Sequence, residues 1–207
     1  MVVELSALGA CGLEPRYVLP PPERHDGTFR WLDAAAEPPP DFLPVTFDDP
    51  DTGRQLAVCR GFIVDAPEPD QGYHTGELGV GSDGEQECRV AHRGGMLRYQ
   101  ARDNGYQQLW ARSGAAYQWA ALDAIPERPL ALSILWQNNR VPGDYVVRIT
   151  TGEVIAFWLP CAIQDAQGWH LGKVNIRDGA QVPCYVQLAE REVGVYDGVV
   201  VLYARVP

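Results

Sequence analysis

Two short stretches carry the same chemically capable residues. Gly72-Tyr-His-Thr-Gly-Glu77 is followed by Cys88, and Gly168-Trp-His-Leu-Gly-Lys173 by Cys184. In both, the cysteine stands sixteen residues after the first glycine. His74 and His170 therefore hold equivalent positions, as do Cys88 and Cys184. Two imidazoles and two thiolates brought together would make a zinc set. A thiol beside an imidazole is also the one nucleophile–base pair the chain offers. The sixteen-residue gap matches no zinc-finger spacing, and nothing in it activates a thiol. Nucleophile-elbow, P-loop and paired-carboxylate motifs do not occur. The expectation is buried histidines and small buried thiols, with no catalysis, no metal and no cofactor. Asp48, Asp49 and Asp51 could offer carboxylates to a hard cation, but the run has no longer ligand series. It reads instead as an acidic turn whose Asp caps its own backbone and whose Gly53 takes positive φ.

The elements that must position these residues are short. Phe29-Arg-Trp-Leu32, Phe42 to Phe47, Leu56 to Val64, Met96 to Tyr99 and Tyr106 to Trp110 alternate as strands do. Ala34-Ala-Ala-Glu-Pro-Pro-Pro40 blocks a long helix. Asp103-Asn-Gly105, between two strand-like runs, signals a hairpin. The order then repeats. Tyr117-Gln-Trp119 echoes Phe29-Arg-Trp31, Thr151-Gly152 stands for Thr52-Gly53, and Ile155 to Trp158 matches Leu56 to Cys59. Asp178-Gly179 answers Asp83-Gly84, and Leu202-Tyr-Ala-Arg205 answers Leu109-Trp-Ala-Arg112. Ala115 to Ala124 comes nearest to a helical period, yet its aromatics and Pro126 also suit a strand and turn. Such self-similarity argues for duplication and a pseudo-twofold arrangement. We expect an all-β protein of antiparallel sheets: an extension over 1–28, repeat 1 over 29–114 and repeat 2 over 115–207, together one compact domain.

Composition bounds the function. The 207 residues suffice for one large β domain or two small ones, and 46% of them are hydrophobic, which is a globular composition. A net charge of −10 argues against a nucleic-acid partner, since phosphate binding needs a basic face. Arg89, Arg93 and Arg98 are too spread to override this and read as solvated positions. The longest apolar runs suit buried strands, so no membrane span is expected. The mildly apolar N-terminus lacks a basic n-region and contains Glu4, so it does not read as a secretory signal, although a processed form would have lost one. Five cysteines (Cys11, Cys59, Cys88, Cys161, Cys184) leave at least one unpaired within the chain. With no CxxC spacing, the expectation is reduced thiols and a cytoplasmic location, with secretion by another route left open.

The motif series resembles the DM9 repeat, also called the DUF3421 domain. Trp31, Asp49-Pro-Asp-Thr-Gly53, Leu56-Ala-Val-Cys-Arg60, Gly76-Glu-Leu78, Cys88, Gly94-Gly95 and Leu109 look like one copy. Trp119, Gly172-Lys-Val174, Cys184-Tyr-Val186, Glu190-Arg-Glu192 and Val200-Val-Leu202 look like a second. The resemblance implies tandem β-rich repeats that work as lectins for mannose-type glycans in recognition or defence. It also implies pockets that use an Asp of the acidic turn and the Lys of Gly-Lys. Repeat 1 keeps Asp49 but has Glu77 in place of the Lys; repeat 2 keeps Lys173 but has Thr150-Thr-Gly152 in place of the turn.

On that reading Lys173 and Glu192 contact sugar hydroxyls as donor and acceptor, Trp169 stacks on the ring, and Asp49 serves a second site. The competing reading is a surface Lys–Glu pair worth little. The expected function is non-enzymatic carbohydrate binding, with two sites or a homodimer giving avidity. The alternative is a protein–protein interaction or effector module with degenerate sugar pockets.

Overall fold

The computed structural model describes residues 29–63, 72–103, 105–121, 144–147, 154–175 and 183–204. Residues 1–28 with Cys11, the Thr150-Thr-Gly152 stretch, Asp178-Gly179 and Asn104 lie outside the described residues. Fifteen strands and no helix occur among the described residues. The first repeat contributes β1 (Phe29–Asp33), β2 (Phe42–Pro44), β3 (Thr46–Asp48), β4 (Gln55–Ile63), β5 (Gly72–Val80), β6 (Gln86–His92), β7 (Gly95–Gln100) and β8 (Gln107–Arg112). The second contributes β9 (Tyr117–Ala121), β10 (Asp144–Val147), β11 (Val154–Asp165), β12 (Gly168–Asn175), β13 (Cys184–Leu188), β14 (Arg191–Val195) and β15 (Val200–Ala204).

The fold is all-β, in two antiparallel sheets. The first runs β1-β8-β4-β5-β6-β7, with β2 on β8 and β3 on β4. The second runs β9-β15-β11-β12-β13-β14, with β10 on β11. Strand for strand, these are the same order. In each sheet the first strand of the repeat closes against its last, and the stretches around His74 and His170 become the equivalent strands β5 and β12. The two strands also touch: the Thr75 hydroxyl donates to the Gly172 carbonyl at 3.1 Å. Equivalent elements meeting each other is the arrangement a pseudo-twofold produces.

The inner faces of the two sheets form one core. Phe29, Val45, Phe47, Leu56, Val58, Leu109 and Ala111 of the first sheet pack with Ala162, Leu171 and Leu202 of the second. Neither sheet has that apolar face covered without the other, so burial of the face holds the two repeats together. The Trp119 indole N–H, donating to the Thr46 carbonyl at 3.0 Å, adds a polar tie.

The cysteines correct the expectation of reduced thiols. Cys59 pairs with Cys88, and Cys161 with Cys184. Each bridge joins strands that are not neighbours: β4 to β6 across β5, and β11 to β13 across β12. Two ladder spacings in a flat sheet would be roughly 9.5 Å. The Cα–Cα distances are instead 5.8 and 6.0 Å. The sheet must therefore fold at the middle strand, and that strand carries glycine there. Gly76 stands opposite Cys59, and Gly172 opposite Cys161. A Cβ on Gly76 would lie 2.0 Å from the Arg89 carbonyl oxygen, and one on Gly172 would lie 2.1 Å from that of Tyr185. Each copy thus carries a kink glycine, Gly76 or Gly172, and twelve residues later the cysteine that closes the bridge over it.

In the first repeat the same curl brings β7 back over β4. Tyr99 covers Gly61 and donates its hydroxyl to the Phe62 carbonyl at 3.1 Å. Burial pushes the Tyr99 phenol up to about 12. Around it Cys59, Ile63, Cys88, Val90 and Tyr106 form a second, smaller core.

The Asp103–Gly105 turn does not make the expected hairpin. β7 is an outer strand, whereas β8 inserts between β1 and β4. A turn signal specifies a reversal, not the partner of the next strand. β8 goes where Leu109 and Ala111 can be buried in the inter-sheet core.

Gly172→Ala is expected to destabilise the fold by about 3 kcal/mol or more, because the new methyl meets backbone that has no rotamer to escape into. Urea denaturation followed by tryptophan fluorescence measures it; a loss under about 1 kcal/mol would show that the kink does not need glycine.

Candidate functional site

The pseudo-twofold creates two equivalent places between the repeats, and the sequence has built them differently. Around β12, Lys173 points into the interface and is 2% exposed. Its ammonium lies 2.8 Å from His74 Nδ1, 3.6 Å from Glu192 Oε1 and 4.9 Å from the centre of the Trp158 ring. At 2.8 Å the ammonium donates to Nδ1, which requires the His74 proton on Nε2. His74 is itself buried, tilted on Trp158 with ring centres 4.7 Å apart, and His92 closes on it edge-first at 5.8 Å. Glu192 also reaches across the repeats, accepting the Gly94 N–H at 2.8 Å. Lys173 and Glu192 are thus together, as the sequence suggested. They form an internal strut rather than a pair at the surface.

Trp169 and Asp49 are not part of that group. Trp169 is on the same face of β12 as Lys173 but four residues away, roughly 13 Å along a strand. Its ring packs on Phe47 with centres 4.7 Å apart, at the edge of the inter-sheet core. Its indole N–H has no hydrogen-bond partner among the described residues. Asp49 caps its own turn. One oxygen accepts the N–H groups of Asp51 (2.9 Å) and Thr52 (3.2 Å), and the other accepts the Thr52 hydroxyl at 2.6 Å. The Thr52 hydroxyl bond is the largest influence holding its pKa below the usual 3.8. The sequence reading of this run as a self-capping turn matches the geometry, and the turn abuts β12 at Gly168.

The other equivalent place is open. Where repeat 2 has Lys173, β5 has Glu77; where β13 has Tyr185, β6 has Arg89. Instead of stacked rings there is a polar cleft of about 220 Å³ between the repeats. Arg54, Glu77 and Arg89 line one wall; Gln167, His170, Leu171 and Gln187 line the other, and Leu188 and Ala189 close the end. Strand backbone positions Glu77, Arg89, His170, Leu171, Gln187 and Leu188, whereas Arg54, Gln167 and Ala189 stand just outside the strands. Glu77 Oε2 accepts the Leu171 N–H at 3.1 Å, and Oε1 lies 3.7 Å from Arg54. Arg89 donates to Glu87 at 2.7 Å and to the Val80 carbonyl at 2.5 Å. The His170 ring is fixed by Asp165 at 3.0 Å. Burial pulls the Asp165 pKa upward, but the Gln167 N–H and His170 together hold it below the usual value.

Sequence reasoning singled out His170 and Glu77 but missed this cleft. It took Arg89 and Arg98 for solvated positions. Arg89 instead lines the cleft, and Arg98 spans the repeats from Glu87 to Glu190 at 2.6 Å. The available signal was the mismatch between copies: charged Glu77 and Arg89 stand at positions where the other copy has Lys and Tyr. Cys88 and Cys184, spent in disulfides, supply no thiolate to a zinc site or to a Cys–His nucleophile. No cluster of three or more His, Cys, Asp or Glu suited to a metal ion occurs among the described residues. No helix among them is long and apolar enough to cross a membrane.

No family model matches the chain, and neither does any curated protein. The DM9 resemblance accordingly rests on its short motifs. Among solved structures, the chain is similar to the crystal structure of the nematode sperm cell motility protein MFP2B. The TM-score is 0.51 at 12% identity, over 87% of this chain and 44% of that one. That likeness is one of fold, and this chain spans less than half the length of that protein.

Two expectations follow for the buried groups. Lys173→Ala should cost about 3 kcal/mol or more, since it removes the ammonium that lies between the buried His74 Nδ1 and Glu192 and leaves its space empty; a surface pair would cost under about 1 kcal/mol. Denaturant titration of the two proteins decides between them. For Asp49, whose folded pKa is depressed, the stabilisation is present above pH 3.8 and is lost as pH falls through the folded value. The stability gap between wild type and Asp49→Asn should therefore be constant near neutrality and narrow in acid below that value. Thermal melts across a pH series measure it, and a gap that widens in acid would contradict the capping role.

Proposed function

We propose that this chain is a non-enzymatic carbohydrate-binding protein whose site is the cleft between its two repeats. The observation that carries the reading is the cleft's lining: guanidinium, carboxylate, imidazole and two amides converge on one small polar space. Sugar hydroxyls are both donors and acceptors, so they match a mixed set of this kind at several points at once. Drug-sized ligands take pockets of roughly 300–1,000 Å³; this cleft suits a single small ring. Most of its lining stands on strands of two sheets locked by a shared core and two disulfides, which lowers the cost of ordering the site on binding.

Mannose-type glycans are the ligands the DM9 resemblance implies, and they enter as the first candidates. Because the Lys173 side is filled by its own rings, one of the two equivalent places is open among the described residues. Avidity for a multivalent glycan would then come from a homodimer rather than from two sites in one chain. The cytoplasmic expectation rests on the lack of a secretory signal and of CxxC spacing, and goes with reduced thiols. With four cysteines paired, an oxidising compartment suits the chain better.

A second reading, a protein–protein interaction module, is favoured by one observation. The residues matching the family's sugar-binding pair, Asp49 and Lys173, are both spent inside the fold. Thermal melts with added sugars separate the two readings. A sugar at one hundred times its Kd should stabilise the native state by about 2.7 kcal/mol, and the rise should vanish in Arg54→Ala. Melts that no sugar shifts, with a silent glycan array, would leave the interaction reading standing instead.

A further inference from the structure

The unspent hydrogen-bonding capacity of the cleft is lopsided, and this bears on which sugar it takes. Glu77 is the one carboxylate in the lining, and both its oxygens are engaged, by the Leu171 N–H at 3.1 Å and by Arg54 at 3.7 Å. The contact to Arg54 is longer than a charge-assisted hydrogen bond of roughly 2.7–2.9 Å, so the guanidinium leans toward Glu77 without being saturated by it. Arg54 is mostly exposed, at 62% of its side chain, and its remaining N–H groups face water. Arg89 spends Nε on Glu87 and Nη2 on the Val80 carbonyl, and Nη1 makes neither bond. Two guanidiniums with donors to spare therefore face one carboxylate already occupied, with the amides of Gln167 and Gln187 beside them. The lining itself carries two guanidiniums against one carboxylate, with Glu87 behind Arg89 and Asp165 behind His170.

We propose, building on the carbohydrate reading above, that the cleft selects a sugar bearing a carboxylate, a uronate-type residue, over neutral mannose-type sugars. The planar fork of arginine matches a carboxylate in two parallel hydrogen bonds, and both partners are charged. A neutral hydroxyl accepts one such bond and leaves the second guanidinium facing water. The amides then read the ring hydroxyls, and Glu77 stays bound to the Leu171 backbone as the wall that separates the arginines. The departure of Glu77 and Arg89 from the pattern of the other repeat becomes a change of ligand charge.

The test is calorimetric titration of the full chain with four probes: a short oligogalacturonate, the methyl ester of the same oligomer, mannobiose and a sulfated disaccharide. The ester keeps the ring and removes the charge. The free uronate is expected to bind about tenfold tighter than its ester and than mannobiose. Arg54→Gln should erase most of that preference, and so should Arg89→Gln. Because Arg89 also holds the buried Glu87, its variant is checked by thermal melt, and the exposed Arg54 carries the test if Arg89→Gln unfolds. Equal binding of uronate and ester overturns this inference and leaves the carbohydrate reading intact. Tighter binding of the sulfated sugar overturns the choice of a carboxylate. Binding of none of the four overturns both.

Discussion

The fold depends on one close approach, repeated: a strand with glycine at its centre is crossed by a disulfide between its two neighbours. Strands two places apart belong roughly 9.5 Å from each other, and here their Cα atoms stand 5.8 and 6.0 Å apart. That is attainable only where the middle strand has no side chain to exclude the neighbouring carbonyl, and both copies put glycine at that point. The kink curls each sheet, the curl aims its apolar face at the other sheet, and the shared core follows. The same crossing places β5 and β12 against each other, so everything those strands carry lies between the repeats.

Duplication made two equivalent places along that seam, and their fates differ for a physical reason. On the β12 side a lysine has been drawn inside, where an ion out of water must be met by partners of good geometry. His74, Glu192 and the face of Trp158 meet it, and rings fill the remaining space. On the β5 side the corresponding residue is a carboxylate facing arginine, and no large ring fills the gap. One place became a strut and the other a cleft. A buried, fully partnered lysine is out of a ligand's reach, whereas Arg54, with 62% of its side chain exposed, is not. The asymmetry leaves the open cleft on the side of the repeat that lacks the Gly-Lys motif, which matching motifs alone would not suggest.

Much of the chain was legible beforehand. Short alternating runs at Phe29–Leu32, Met96–Tyr99 and Tyr117–Trp119 became β1, β7 and β9, and the duplicated order of motifs became two sheets with one strand order. The acidic turn at Asp49 behaves as its Asp and Gly dictate, because a four-residue turn is a local problem. The failures were of longer range. β7 and β8, joined through Asp103-Asn-Gly105, are not paired with each other, the four cysteines among the described residues are paired rather than reduced, and Lys173 is inside rather than at the surface.

Sequence alone determined the strands, the turns and the duplication, because period, turn chemistry and order are properties of neighbouring residues. It also marked the glycines and cysteines at a constant interval, without saying that the interval was a bridge over a kink. Tertiary structure decided which cysteines meet, which charged groups are covered and which of two equivalent places stays open. Those outcomes depend on what lies across the sheet, and a period-two pattern reports which way a side chain faces but not what covers it. The cleft is made of residues from Arg54 to Ala189 that become neighbours only when the two sheets close on their common core.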